Sequence, residues 1–278
     1  MSFKTVFLAV GAAQDDSEID RAVTICDALG AHLSVLVVGV APPPPASPYG
    51  VVSNDIWADD IREGQDEVEG RARAIETHLA GTRLSSLVAA QYIDRGTVAT
   101  LAARFSRYAD LTLVTPNAEG FEPLQSWVVN GALFESGRPI LLLPKGPVSF
   151  PAVKTVVIGW DASVEASKAV RDAIGLMKAA GAVHAVLNDP VPSFEGHGAE
   201  PGADLAAYLG RHGIQVTVHR LPKEGKETGE LLRRTATDLG ADLIVMGGFG
   251  HSRLRERIFG GTTTTMLKKV VVPVLMAH

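Results

Sequence analysis

Short apolar runs alternate with amphipathic stretches along the whole chain. Residues 5–10, 33–40, 111–114 and 140–143 are mostly apolar without a regular polar alternation, and so are 154–159, 183–187, 242–246 and 274–276. Such runs predict strands buried on both faces, as in a parallel sheet. Between them the period changes. Residues 17–29 place Ile19, Ala22, Val23, Cys26 and Leu29 on one helical face and stop at Gly30, a natural helix-ending residue. Residues 228–239 place Leu231, Leu232, Thr235 and Leu239 inward and stop at Gly240, with a strand following at once. Strand–helix–strand alternation predicts right-handed crossovers and a doubly wound α/β sheet.

The pattern occurs twice, in the same order. Lys4-Thr5-Val6-Phe7 resembles Lys154-Thr155-Val156-Val157, Ala109-Asp110-Leu111 resembles Ala241-Asp242-Leu243, and Arg138-Pro139-Ile140-Leu141 resembles Val272-Pro273-Val274-Leu275. Two copies of one unit follow, with a break at Lys145-Gly146-Pro147, giving expected domains 1–146 and 152–278. Pro42-Pro43-Pro44-Pro45 opens a stiff, polyproline-like stretch to about Asn54, which reads as a long crossover loop or as a docking segment. The matching place in the second half, 189–202, is also rich in Pro and Gly.

Composition narrows the function. The chain has 278 residues, 46% hydrophobic and 21% charged, as expected of a folded globular protein. A net charge of −5 argues against nucleic acid as a partner. Cys26 is the only cysteine, so no intrachain disulfide forms. No signal peptide pattern opens the chain and no apolar run approaches membrane-spanning length, so a cytoplasmic location and no membrane partner are expected. The eight histidines show no paired ligand spacing, so no protein metal site is expected. No nucleophile elbow is present, and no nucleophile is paired with a base.

The sharpest motif is Gly247-Gly248-Phe249-Gly250, followed after nine residues by Gly260-Gly261-Thr262. It leaves one predicted strand and enters a predicted helix over 263–269. Glycines let a ligand approach the backbone, and the helix start offers free N–H groups and a positive dipole end, which suits a phosphate. Thr262 and Thr263 can cap that helix or donate to a phosphate oxygen. The same glycines also read as a tight strand exit and a close helix–sheet packing site. Neither a G-x-G-x-x-G fingerprint nor a Walker A loop is present. Asp161 stands at the carboxyl edge of its strand, where ligands of open α/β sheets bind. It reads equally as a ligand-binding carboxylate or, with Ser163, as the cap of a helix over 164–177.

The strand leading to Asp161, the G-x2-G-x9-G loop and the Pro273-Val274-Leu275 strand together resemble the universal stress protein family, in its ATP-binding branch. The resemblance covers 153–277 and, more weakly, 4–144. It implies two Rossmann-like (adenine-nucleotide α-hydrolase-like) α/β domains, each an open, mostly parallel five-stranded sheet with helices on both faces. It implies an adenine nucleotide, ATP with Mg2+ held by the phosphates, as ligand of a stress-response or regulatory protein. By position, Asp161 would contact the adenosine and Leu187 would line the adenine pocket. Gly247, Gly250, His251 and Ser252 would contact ribose and phosphates, and Gly260, Gly261 and Thr262 would hold the phosphate tail. In that branch the third glycine is usually followed by Ser or Thr, where this chain has Gly261.

The first half departs at each place. Its first strand runs into Gly11-Ala12-Ala13 with no acid, and 111–114 runs into Thr115-Pro116-Asn117-Ala118-Glu119-Gly120. Pro116 lacks a donor and Glu119 repels phosphate, so nucleotide is expected in the second half only; Gly131 reads as a relic of the third glycine. His251 reads as a phosphate contact or an exposed loop residue, and Arg253, Arg255 and Arg257 as triphosphate contacts or a solvated face. Slow ATP hydrolysis is the most turnover expected. The resemblance also implies that the runs 140–143 and 274–276 pair within one chain, making it a pseudo-dimer that can dimerise further and bind protein partners not named by the sequence. The alternative function is a protein-interaction scaffold of the same family that binds no nucleotide.

Overall fold

The computed structural model describes residues 3–43, 54–115, 123–194, 196–222, 225, 227–248 and 261–278. Two units emerge, Phe3–Ser136 and Gly137–His278. The division falls ahead of the Lys145–Pro147 break because the strand Ile140–Leu142 pairs inside the second unit.

The N-terminal unit contains β1 (Thr5–Gly11), α1 (Ser17–Leu29), β2 (His32–Ala41), α2 (Asn54–Ala80), β3 (Ser86–Asp94), α3 (Val98–Arg107), β4 (Leu111–Val114) and α4 (Pro123–Val129). A π-helical turn, Asn130–Phe134, continues α4. The strands lie in the order β3-β2-β1-β4, all parallel. The C-terminal unit contains β5 (Ile140–Leu142), β6 (Thr155–Gly159), α5 (Val164–Ala179), β7 (Ala182–Asn188), α6 (Ala203–Arg211), β8 (Thr217–Leu221), α7 (Thr228–Asp238), β9 (Leu243–Gly247), α8 (Gly261–Lys268) and β10 (Val274–Ala277). Its order is β5-β10-β9-β6-β7-β8, parallel except for antiparallel β5 on β10. The five strands expected in each half thus divide as four and six. The shared core, third-second-first-fourth, is the doubly wound order of a Rossmann-like fold.

One side-chain device repeats in both units. The Asp110 carboxylate accepts from the backbone N–H groups of Lys4 (2.8 Å) and Thr5 (3.0 Å). The Asp242 carboxylate accepts from Lys154 (2.8 Å) and Thr155 (3.0 Å). Each aspartate starts a fourth strand and pins the start of the first strand beside it. Matching bonds at matching places are the physical counterpart of the repeated Ala-Asp-Leu motif.

The helix ends also obey the sequence. Gly30 adopts φ +59, with Gly30 N–H on Asp27 O (3.1 Å) and Ala31 N–H on Cys26 O (2.9 Å). Gly240 adopts φ +61, and Ala241 N–H reaches Ala236 O at 2.8 Å. On α1 the buried residues are Ile19, Ala22, Ile25 and Cys26; Ile25 is inward while Val23 and Leu29 are half-buried. Cys26 is fully buried, and burial pushes its thiol up to about 12, so it is a core residue without thiolate chemistry. Residues 44–53 of the Pro-rich stretch lie outside the described residues, and α2 begins directly after them. Among the described residues no helix is long and apolar enough to cross a membrane.

Candidate functional site

In the C-terminal unit β6 and β9 are neighbours, and their carboxyl ends lie where the chain changes direction across the sheet. Such a switch point is the crevice of an open α/β sheet. β6 ends at Gly159, whose hydrogen faces Leu232 of α7: an added Cβ would sit 2.8 Å from Leu232 Cδ2. Trp160 N–H still donates to Val186 O at 3.0 Å, holding the exit against β7.

Asp161-Ala162-Ser163 then turns into α5. The Asp161 carboxylate accepts from Ser163 N–H at 3.1 Å, and the Ser163 hydroxyl accepts from Ala166 N–H at 3.0 Å. Ser163 is therefore the helix cap, and Asp161 braces the turn while remaining exposed. Ala162 sits at φ +60, a left-handed conformation that a side chain resists. The sequence did not single it out; its signal is a small residue between an acid and a cap.

Gly247, the last residue of β9, packs against the start of α5. A Cβ there would lie 2.6 Å from Ala166 N and 2.9 Å from Glu165 C, so backbone meets backbone. Gly248 is tied to β10, with its N–H on Ala277 O (2.9 Å) and its carbonyl accepting from His278 Nδ1 (2.9 Å). The strand exit is thus fixed on two sides before the glycine loop begins. Gly250, His251, Ser252 and Gly260 lie outside the described residues, as do Arg253, Arg255 and Arg257.

The structure brings Asp161, Ser163 and Gly247 to one edge. Leu187 is fully buried; the Gly202 Cα faces it and Val218, as an added Cβ would lie 3.5 Å from Leu187 Cδ1. Its neighbour Asn188 ends β7 and donates from Nδ2 to Thr228 Oγ1 at 2.8 Å, while its buried Oδ1 has no hydrogen-bond partner among the described residues. Gly261 and Thr262 lie inside the first turn of α8, which starts earlier than the 263–269 expected. Thr262 and Thr263 therefore do not cap it from outside. Thr263 is buried and Thr262 is half-buried. The α7–α8 crossing is close, since a Cβ on Gly229 would meet Thr262 O at 2.9 Å.

The same edge of the N-terminal unit is built differently. Gly11 N–H donates to Gln14 Oε1 (2.7 Å), and Gln14 N–H returns to Gly11 O (3.2 Å). Asp15 braces Ser17 rather than facing the crevice; the Ser17 hydroxyl and amide hold its carboxyl below the usual range. Gln125 Nε2 donates to Thr115 O at 3.2 Å, occupying the exit of β4. Gly131 lies in the π-helical turn against α3, where a Cβ would come within 1.9 Å of Ala99 O. It serves helix packing here. Residues 116–120 lie outside the described residues. Among the described residues no group of three or more His, Cys, Asp or Glu is arranged to hold a metal ion.

Comparison with known proteins fits this geometry. Residues 152–278 match the model of the universal stress protein family. A curated universal stress protein from Synechocystis is 25% identical over 138 residues, covering 50% of this chain and 46% of the relative, so the match spans about half of that protein. The crystal structure of a universal stress protein from Archaeoglobus fulgidus superposes with a TM-score of 0.68 at 19% identity, covering 100% of this chain and 96% of the other. A Pseudomonas aeruginosa protein described as belonging to the same family gives 0.56 at 18% identity, covering 99% and 92%. At these identities the solved structures establish the fold alone. Over residues 152–278 the chain is therefore similar to the universal stress protein family.

Proposed function

We propose that the C-terminal unit binds an adenine nucleotide, ATP in the first instance, and that the chain acts as a nucleotide-responsive regulatory protein with at most slow turnover. The observation that carries this reading is the contact of Gly247 with the backbone of Glu165 and Ala166, directly beside Asp161. It sets a side-chain-free strand exit against a helix start at the switch point of the sheet, which suits a phosphorylated ligand. Asp161 would accept from adenosine, Leu187 would back the base, and the loop 247–262 would hold the phosphates with any Mg2+ on them.

The N-terminal unit would bind no nucleotide in this manner. Gln14 already occupies the Gly11 N–H from which a phosphate oxygen would accept, and Gln125 covers the exit of β4 at the Thr115 carbonyl. The antiparallel pairing of β5 with β10 supports reading the chain as a tandem whose final strands meet within one polypeptide.

Calorimetric titration of Mg-ATP into the full chain tests the proposal, alongside Gly250→Glu and Asp161→Ala. Saturable binding that Gly250→Glu abolishes and Asp161→Ala weakens by about tenfold is expected, which is roughly 1.4 kcal/mol. No binding at millimolar ATP overturns it and leaves the interaction-scaffold reading.

A further inference from the structure

A pair of imidazoles lies on the C-terminal unit, outside the edge described above. β8 is the terminal strand of that sheet, with only β7 beside it. In the parallel register Val186 pairs with His219 and His184 with Thr217. His184 and Val186 are two residues apart and share a face, so His184 and His219 project from the same side on adjacent strands. The opposite side is identified by Val218, whose Cγ1 would lie 2.7 Å from a Cβ on Gly202 ahead of α6. His184 Nδ1 and His219 Nε2 are 3.0 Å apart, with ring centroids 5.2 Å apart and planes tilted by 46°. Both rings are half-buried.

We propose that His184 and His219 form a chelating site for a divalent transition-metal ion, with Cu(II) or Ni(II) preferred over Zn(II), completed by water. Imidazole suits all three ions, and metal–nitrogen bonds are about 2.0–2.1 Å long. Two nitrogens in adjacent positions of a square or octahedral shell then lie about 2.9 Å apart, and about 3.3 Å apart in a tetrahedron. The separation of 3.0 Å is set by the hydrogen bond between the rings and lies near the first spacing, so a small turn of each ring that brings both lone pairs to one point beside the N···N line suffices for an adjacent pair of ligands. In the metal-free pair one facing nitrogen carries the hydrogen that the other accepts. Metal binding needs a lone pair on both, so the donor ring moves that hydrogen to its far nitrogen, and two neutral rings bind without net proton release. Burial, and secondarily the neighbouring His219, holds the His184 imidazole below its ordinary range, which keeps it neutral for this purpose. A pair of strands fixes both ligands before the ion arrives, which lowers the ordering cost of binding.

The test uses the full chain without an affinity tag and without nucleotide, titrated with CuCl2 or NiCl2 in a calorimeter. One equivalent of Cu(II) per chain is expected. His184→Gln and His219→Gln should each weaken it by about tenfold or more, since even outer-shell losses cost 10–100-fold. His212→Gln, whose ring packs edge-on against Tyr208, should leave it unchanged. No saturable binding, or binding that neither substitution moves, overturns the proposal. If a substitution unfolds the chain by circular dichroism, NMR of the wild type decides. Substoichiometric paramagnetic Ni(II) should broaden the ring signals of His184 and His219 before those of other histidines; broadening first elsewhere refutes the site.

Discussion

Substituting Gly247 by alanine isolates the contact on which the proposed site rests. The backbone at Gly247 needs no glycine for its conformation, because its φ is not in the left-handed region. What it needs is space: the new methyl would lie 2.6 Å from Ala166 N and 2.9 Å from Glu165 C. These are main-chain atoms of the first turn of α5 and cannot rotate aside. Either β9 and α5 separate or the Asp161–Ser163 turn shifts. Overpacking of this kind costs about 1–3 kcal/mol, partly offset by the roughly 0.4–1 kcal/mol that alanine gains by restricting the unfolded chain.

Two control glycines separate these effects. Gly240→Ala meets open space but sits at φ +61, so it should cost about 1 kcal/mol from backbone strain alone. Gly210→Ala, inside α6 with nothing within 4 Å, should stabilise by roughly 0.5–1 kcal/mol. Urea denaturation of the three variants gives the ranking, and ATP titration shows whether Gly247→Ala also weakens binding. A Gly247→Ala midpoint equal to or above that of Gly210→Ala would falsify the steric reasoning. Normal ATP affinity in a destabilised Gly247→Ala would dissociate the contact from the site.

Three further outcomes follow from particular bonds. Asp110→Ala and Asp242→Ala each remove a carboxylate that accepts from two backbone N–H groups, and each should cost about 1–3 kcal/mol in urea melts, with Asn recovering part of it. Ala162→Gly should stabilise by roughly 1 kcal/mol, read as a rise in thermal midpoint, because glycine relieves the φ of +60. The His184 imidazole is held below its ordinary 6.5 in the folded state, so the unfolded chain takes up the proton more readily. Its contribution to stability is complete above pH 6.5 and is lost as pH falls from there through the folded value; His184→Gln should flatten that part of the urea-midpoint profile between pH 7.5 and 5.

Strand runs, helix stops and the recurring strand order were legible because burial on both faces and left-handed glycines leave direct marks on sequence. Residues 17–29 and Gly30 are the clearest instance. The edge positions of Asp161 and Gly247 were legible because each follows closely on a predicted strand. A role was less legible where a residue acts through its neighbours. Ser163 emerged as the cap, and Asp161 as its brace, only once the hydrogen bonds were resolved. The start of α8 at Gly261 lies two residues ahead of the place that local spacing marks. The imidazole pair joins residues that are 35 apart, and only the β7–β8 register brings them together.

The glutamines at the edge of the N-terminal unit carry an evolutionary consequence. Gln14 closes the backbone of Gly11 upon itself, and Gln125 covers the carbonyl of Thr115. Removing either before a ligand is present strands a partly buried polar group, at a cost of about 1–3 kcal/mol. A substitution path that opens this edge to a new contact therefore descends in stability first, because the two amide side chains must be given up before anything replaces them.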